Sequence, residues 1–180
     1  MLIFMLMYQI MISAPPYGDT GSHHSKRKTH LNKKLKQRSE KITVLYNLHT
    51  REIIPLENPD KQSVFRFFRC RKTDIYPTFI DNQLLIELGK LVKMFPTQRI
   101  NVFSGFRSGR YNEELRKKLH EVARNSYHLK GKAVDFNFEG VDIRKIASYL
   151  RRKWKGGVGF YSKSIFVHMD TGPKRRWRGL

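Results

Sequence analysis

The chain has 180 residues, 39% hydrophobic and 12% aromatic, which is enough for one domain with a real core and excludes wholesale disorder. Its formal net charge of +21 selects anionic partners (nucleic acid, membrane head groups or an acidic cell-wall polymer) without choosing among them. Cys70 is the only cysteine, so no intramolecular disulfide forms and any zinc site must rely on histidine and carboxylate ligands.

The N-terminal "MLIFMLMYQIMISA" is apolar for about a dozen residues and runs into the turn-rich "PPYGDTGSHHS". It is too short for a typical span of ~20 residues and fits the apolar region of a signal peptide. Residues 1–16 are therefore expected to be a signal peptide or a membrane anchor, which implies export, although no Lys or Arg precedes the run. Residues 17–41 are polar and basic without a hydrophobic period, and are expected to form a flexible basic linker.

The folded domain is expected over 42–180. "ITVLYNLHTREIIPL" opens as a strand and turn, with Ile42, Val44 and Tyr46 alternating against Thr43 and Leu45. "QSVFRFFRCRK", 62–72, reads as a second strand with basic side chains among aromatics. Leu84, Leu85, Leu88, Leu91 and Val92 recur at helical spacing behind Asp81, a candidate N-cap, and Pro96 ends the pattern. "RINVFSGFRS" is a strand entering a glycine turn, and "GRYNEELRKKLHEVAR" returns to helical periodicity. "GKAVDFNF" and "SIFVHMD" read as short strands, separated by the helix "VDIRKIASYLRRKW" and the glycine turn "KGGVGFY". "PKRRWRG" either caps the domain with Trp177 or is a solvated basic tail. The order predicts an α+β fold with a small antiparallel sheet and flanking helices.

Strand alternation places Ala133, Asp135 and Asn137 on one face of "GKAVDFNF" and Val134, Phe136 and Phe138 on the core face. The same rule puts Phe166, His168 and Asp170 together in "SIFVHMD". His128 precedes the first strand, and Gly131 permits the chain to fold back toward it. If the two strands pair, His128, Asp135 and His168 converge. Two imidazoles and a carboxylate with an open fourth position make a catalytic zinc arrangement. Taken singly, a strand histidine is usually just a hydrogen-bonded side chain, and an aspartate near a basic surface is usually a salt-bridge partner.

"HLKGKAVD" fits H-x-x-G-x-A-x-D, between "SGFRS" upstream and "GGVGFY" and "FVHMDTGPKRRW" downstream. In this order the motifs resemble the zinc D-Ala-D-Ala peptidases, and most closely their YcbK-like (murein endopeptidase K) branch, over residues 42–177. The resemblance implies a hedgehog/D-Ala-D-Ala-peptidase-like fold, zinc held by His128, Asp135 and His168, and hydrolysis of peptidoglycan peptide cross-links in the periplasm. By the same resemblance Arg107 faces the substrate carbonyl or its tetrahedral product, where a guanidinium meets developing negative charge. Many members carry an acidic general base three residues before the last histidine, and here that position is Ile165. Asp170 is the nearest carboxylate, as proton carrier or as the group that orients His168. Ser126 is a candidate hydrogen-bonding residue for substrate near the site, and His49 is expected to support the fold.

Three functions follow. The first is a zinc metallopeptidase resident on the anionic cell envelope, with no nucleic-acid partner and with the N-terminus as a route to the membrane. The second is a nucleic-acid-binding protein using the basic segment and the aromatics of "VFRFFRCRK". The third is a relative that binds zinc and cell wall without hydrolysis.

Overall fold

The computed structural model describes residues 42–119 and 122–179. The expected signal or anchor segment and the basic linker lie outside them. No helix among the described residues is long and apolar enough to cross a membrane.

The elements run β1 (Val44–Asn47), β2 (Ile53–Pro55), α1 (Lys61–Phe67), α2 (Asn82–Met94), β3 (Arg99–Ser104) and α3 (Gly109–Lys118). A 3-10 turn (Tyr127–Lys130), β4 (Ala133–Phe138), α4 (Ile143–Lys153), β5 (Gly157–Tyr161), β6 (Phe166–Asp170) and β7 (Arg175–Gly179) follow. The strands form one seven-stranded sheet in the order β2-β1-β3-β4-β6-β5-β7. The fold is α+β as expected, but the sheet is neither small nor purely antiparallel. β1 pairs parallel with β3, and β5 parallel with β7. The first parallel pair is separated in sequence by α1 and α2, since parallel neighbours need a long crossover that a hairpin cannot supply.

Two sequence assignments change. Residues 62–72 are not a strand: α1 occupies Lys61–Phe67, and Asp60 caps it by accepting from the Ser63 amide at 2.9 Å. Val64, Phe67 and Phe68 are buried, a spacing of three and four that marks a helix face. The run of phenylalanines admits a period-two reading, and the cap three residues ahead of Ser63 decides against it. "KGGVGFY" is not merely a turn either, because Gly157–Tyr161 form β5. The helix expected over "GRYNEELRKKLHEVAR" closes at Lys118, and Leu119 and Val122 help to wall the cleft described below.

The core lies on one face of the sheet. Leu84, Leu88 and Leu91 of α2 and Ile146 and Leu150 of α4 meet Val134, Phe136, Val167 and Met169, all essentially excluded from water. Burying each such side chain stabilises the fold by about 1.5–3 kcal/mol. Alternation along β4 and β6 then turns Asp135, His168 and Asp170 to the opposite face. That face carries the site.

Candidate metal centre

Asp135 and His168 are direct cross-strand partners in the antiparallel β4–β6 pair. His128 reaches them from the 3-10 turn. The Ser126 hydroxyl accepts from the His128 amide at 3.3 Å, and Gly131 closes the turn in the left-handed region at φ 62°. A Cβ at Gly131 would sit 1.8 Å from the Phe79 carbonyl oxygen, so only glycine fits there. Ser126 thus lines the cleft while holding the turn that presents His128.

His128 Nε2, Asp135 Oδ1 and His168 Nδ1 form a triangle with sides of 3.2, 3.2 and 2.8 Å. Ligand atoms at about 2.0–2.1 Å from a tetrahedral zinc are spaced by roughly 3.3 Å, so the triangle has nearly the size that ion requires. Each outer atom is also engaged. His128 Nδ1 donates to the Gly105 carbonyl at 2.6 Å, His168 Nε2 donates to Asp170 Oδ2 at 3.0 Å, and Asp135 Oδ2 accepts from Arg107 Nη2 at 2.8 Å. With both ring N–H groups turned outward, two imidazole lone pairs and a carboxylate oxygen face one another inside. Such a donor set is matched by a cation, and the outer partners fix the tautomers that ligation needs. The residues present fit zinc.

Burial and neighbouring charge favour the ligating form at His128 and Asp135 and oppose it at His168. Burial, reinforced by the Arg107 charge, lowers the His128 pKa to about 4, so its imidazole is neutral. Burial opposes charge on His168 too, but bonds to the Asp135 and Asp170 carboxylates outweigh it and raise its pKa. Burial would raise Asp135, yet the neighbouring His128 and His168 hold its carboxyl well below the usual range.

Arg107 follows the Ser104–Gly105–Phe106 corner, where a bulge in the β3–β4 register lets Ser104 oppose Asp135. Its Nε donates to Ser104 Oγ at 3.0 Å, and no described residue takes Nη1. Asp170 is wholly buried behind His168. Its Oδ2 also accepts from Arg175 Nη2 at 2.6 Å, and its Oδ1 accepts from the amides of Gly157 and Gly172 at 3.2 and 2.8 Å. Every lone pair of that carboxylate is committed. Ile165 is 58% exposed in the β5–β6 turn, outside the cleft lining.

The cleft over the centre encloses about 730 Å³. Phe103, Tyr127, Tyr161, Phe166, Arg175 and Trp177 line it; strand alternation puts Phe166 on the face of His168, and nothing in the sequence reading places the other five in the site. The Trp177 ring lies 5.2 Å from that of His168, and Arg175 lies over Tyr127 and Trp177 at 5.0 and 5.5 Å. "PKRRWRG" is therefore no solvated tail. Arg175 and Trp177 share one face of β7, while Arg176 turns away and donates from Nε to the Arg151 carbonyl at 2.9 Å. A period-two signal was present in "RRWRG", masked by its charge. His49 is at the cleft margin, with Nε2 2.9 Å from the Phe103 carbonyl oxygen.

Two glycines of "KGGVGFY" make room for this machinery. A Cβ at Gly159 would meet the Trp177 ring at 2.5 Å, and one at Gly157 would lie 2.2 Å from Asp170 Oδ2. Because β5 is paired on both sides, Asp170 is the group that must move. Gly157→Ala is expected to weaken zinc affinity about 10- to 100-fold, the usual cost of losing the partner of a metal-bound histidine. Competition against a chromophoric chelator measures this; undiminished affinity would show that His168 does not need Asp170.

Residues 35–177 match the family described as peptidoglycan L,D-endopeptidase MepK. A peptidoglycan L,D-endopeptidase MepK of Escherichia coli (strain K12) is 40% identical over 149 residues, 76% of this chain and 80% of the relative. The same figures hold for the Shigella flexneri protein of that name. A probable peptidoglycan L,D-endopeptidase MepK of Haemophilus influenzae is 47% identical over 81 residues, 45% of this chain and 44% of the relative. No solved structure matches. The chain, with its H-x-x-G-x-A-x-D triad closed by the β4–β6 pair, belongs to the MepK family of peptidoglycan endopeptidases.

Proposed function

We propose that the chain is a zinc-dependent murein endopeptidase that hydrolyses peptide cross-links of peptidoglycan at an L,D-amide, outside the cytoplasmic membrane. The observation that carries this reading is the triangle of His128, Asp135 and His168 donor atoms, each backed by an outer hydrogen bond. Zinc held by those three residues would supply Lewis acidity, polarising a carbonyl and bringing the pKa of water to roughly 7.

The chain's own residues do the rest. Arg107, pinned by Ser104 and Asp135, keeps Nη1 for the oxygen on which negative charge develops. Asp170 orients His168 by accepting its Nε2 proton and does not carry protons to or from substrate, since its lone pairs are filled. Phe103, Phe166 and Trp177 exclude water from the bound peptide. Among the described residues lining the cleft, Asp135 and Asp170 are the carboxylates, and both are committed. That keeps open a relative that binds metal and wall without hydrolysis.

The nucleic-acid reading loses most of its stacking platform, because Phe67 and Phe68 are 1% exposed and the half-buried Phe65 packs against the core. The +21 charge favours retention on an anionic envelope instead. Purified protein is expected to cleave cross-linked muropeptides joined through two diaminopimelates, to stop on chelation and to resume on zinc addition. Zinc bound without any cleavage would select the non-catalytic alternative.

A further inference from the structure

The charges of the cleft are unevenly matched. Arg107 is paired with Asp135 and Arg175 with Asp170. In the segment leading to Arg71, Arg66 and Arg69 share Glu52, and Arg69 also takes Asp74. Arg71 pairs with no carboxylate among the described residues. It is held by neutral groups instead. Its Nε donates to the Tyr111 hydroxyl at 2.7 Å, its Nη2 contacts the same hydroxyl, and its Nη1 contacts the His49 ring at Nδ1, 2.9 Å away, and at Nε2.

These neutral partners are fixed from behind. His49 Nε2 also lies 2.9 Å from the Phe103 carbonyl oxygen, which ties the ring to β3. Burial, with the Arg71 charge second, lowers the His49 pKa, so it adds no competing cation. Tyr111 is 7% exposed and packed in α3, and its ring lies 5.4 Å from the guanidinium carbon. The hydroxyl accepts from Arg71 but donates to no described residue.

What remains is a fork. One N–H on each terminal nitrogen of Arg71 and the Tyr111 O–H are uncommitted, and Lys118 stands on the same wall. These side chains line a cavity of about 460 Å³ that shares His49, Arg71, Tyr111, Leu115 and Lys118 with the cleft over the metal centre. The one carboxylate lining that cavity, Glu114, is engaged by Arg110 at 3.5 Å. A preorganised guanidinium with a phenol beside it recognises a planar anion with two oxygens.

We propose that Arg71 and Tyr111, positioned by His49, form a subsite that binds a free carboxylate of the peptide substrate and so selects chains that carry one near the scissile bond. This rests on the peptidase reading for the identity of the ligand, not for the chemistry of the site. A peptide in which that carboxylate is converted to a carboxamide keeps its shape and loses the charge that the fork answers.

The test uses zinc-loaded protein and a pair of muropeptide-like peptides, acid and carboxamide, with the scissile nitrogen methylated so that binding is read without turnover. The acid is expected to bind about 10- to 100-fold tighter than the amide, the usual worth of charge-assisted hydrogen bonds. Arg71→Gln should remove that preference while leaving amide binding and zinc content unchanged, and Tyr111→Phe should reduce it in part. In turnover of the unmethylated acid, the loss should appear in KM more than in kcat. Equal binding of acid and amide by the unaltered protein would overturn the subsite. So would an Arg71→Gln variant that weakens both peptides alike, which marks a structural role. If Arg71→Gln fails to fold, the unaltered protein and Tyr111→Phe decide the matter. A protein that prefers the acid yet never cleaves the unmethylated peptide retains the subsite and loses the hydrolase reading.

Discussion

His128→Ala is expected to abolish muropeptide hydrolysis and zinc retention together. A bound metal supplies several kcal/mol to the barrier, so the rate should fall by about a thousandfold or more at 1.36 kcal/mol per decade. The physical reason lies in the donor triangle. Removing one corner leaves Asp135 and His168 2.8 Å apart, and two ligands hold zinc far less tightly than three. A readout independent of activity follows from linkage: zinc at about a hundred times its dissociation constant stabilises the unaltered protein by roughly 2.7 kcal/mol. Thermal melts of the two proteins with and without zinc should show a shift for one only. Undiminished cleavage and an unchanged zinc-induced shift in His128→Ala would sink the site.

Arg107→Lys should behave differently, lowering kcat by about 10²- to 10³-fold with zinc still bound, the scale seen when one oxyanion donor is lost. Lysine keeps the charge but is a compact point donor, and it cannot bond Ser104 Oγ and Asp135 Oδ2 in the fixed plane of a guanidinium while still presenting a nitrogen to substrate. Metal content and steady-state kinetics on a cross-linked muropeptide separate the two roles of this residue. If zinc is lost along with activity, Arg107 serves chiefly to hold Asp135. If kcat is unchanged, the oxyanion role is wrong.

How much of this was legible in the chain depends on which forces each residue answers to. The faces of β4 and β6 follow from alternation, because successive side chains must point to opposite sides of a strand. Val134, Phe136, Val167 and Met169 bury as that rule requires, and Asp135, His168 and Asp170 share the other face. α2 was equally plain: Asp81 caps it by accepting from the Gln83 amide at 3.0 Å, and its leucines recur on one stripe. α1 was not, since a dense run of aromatics satisfies a period of two as easily as one of 3.6.

The α+β class, the core faces of the two central strands and the residue types available for a metal can all be read along the chain. These are local properties, set by side-chain period, caps and chemistry. The folded chain adds that β7 closes the sheet beside β5, that Gly157 and Gly159 are spaces for Asp170 and Trp177, and that Asp170 is saturated behind His168. It also left Arg71 without a carboxylate among the described residues while its neighbours found theirs. Such facts depend on which distant groups meet, and a chain's local pattern carries no record of who its long-range partners are.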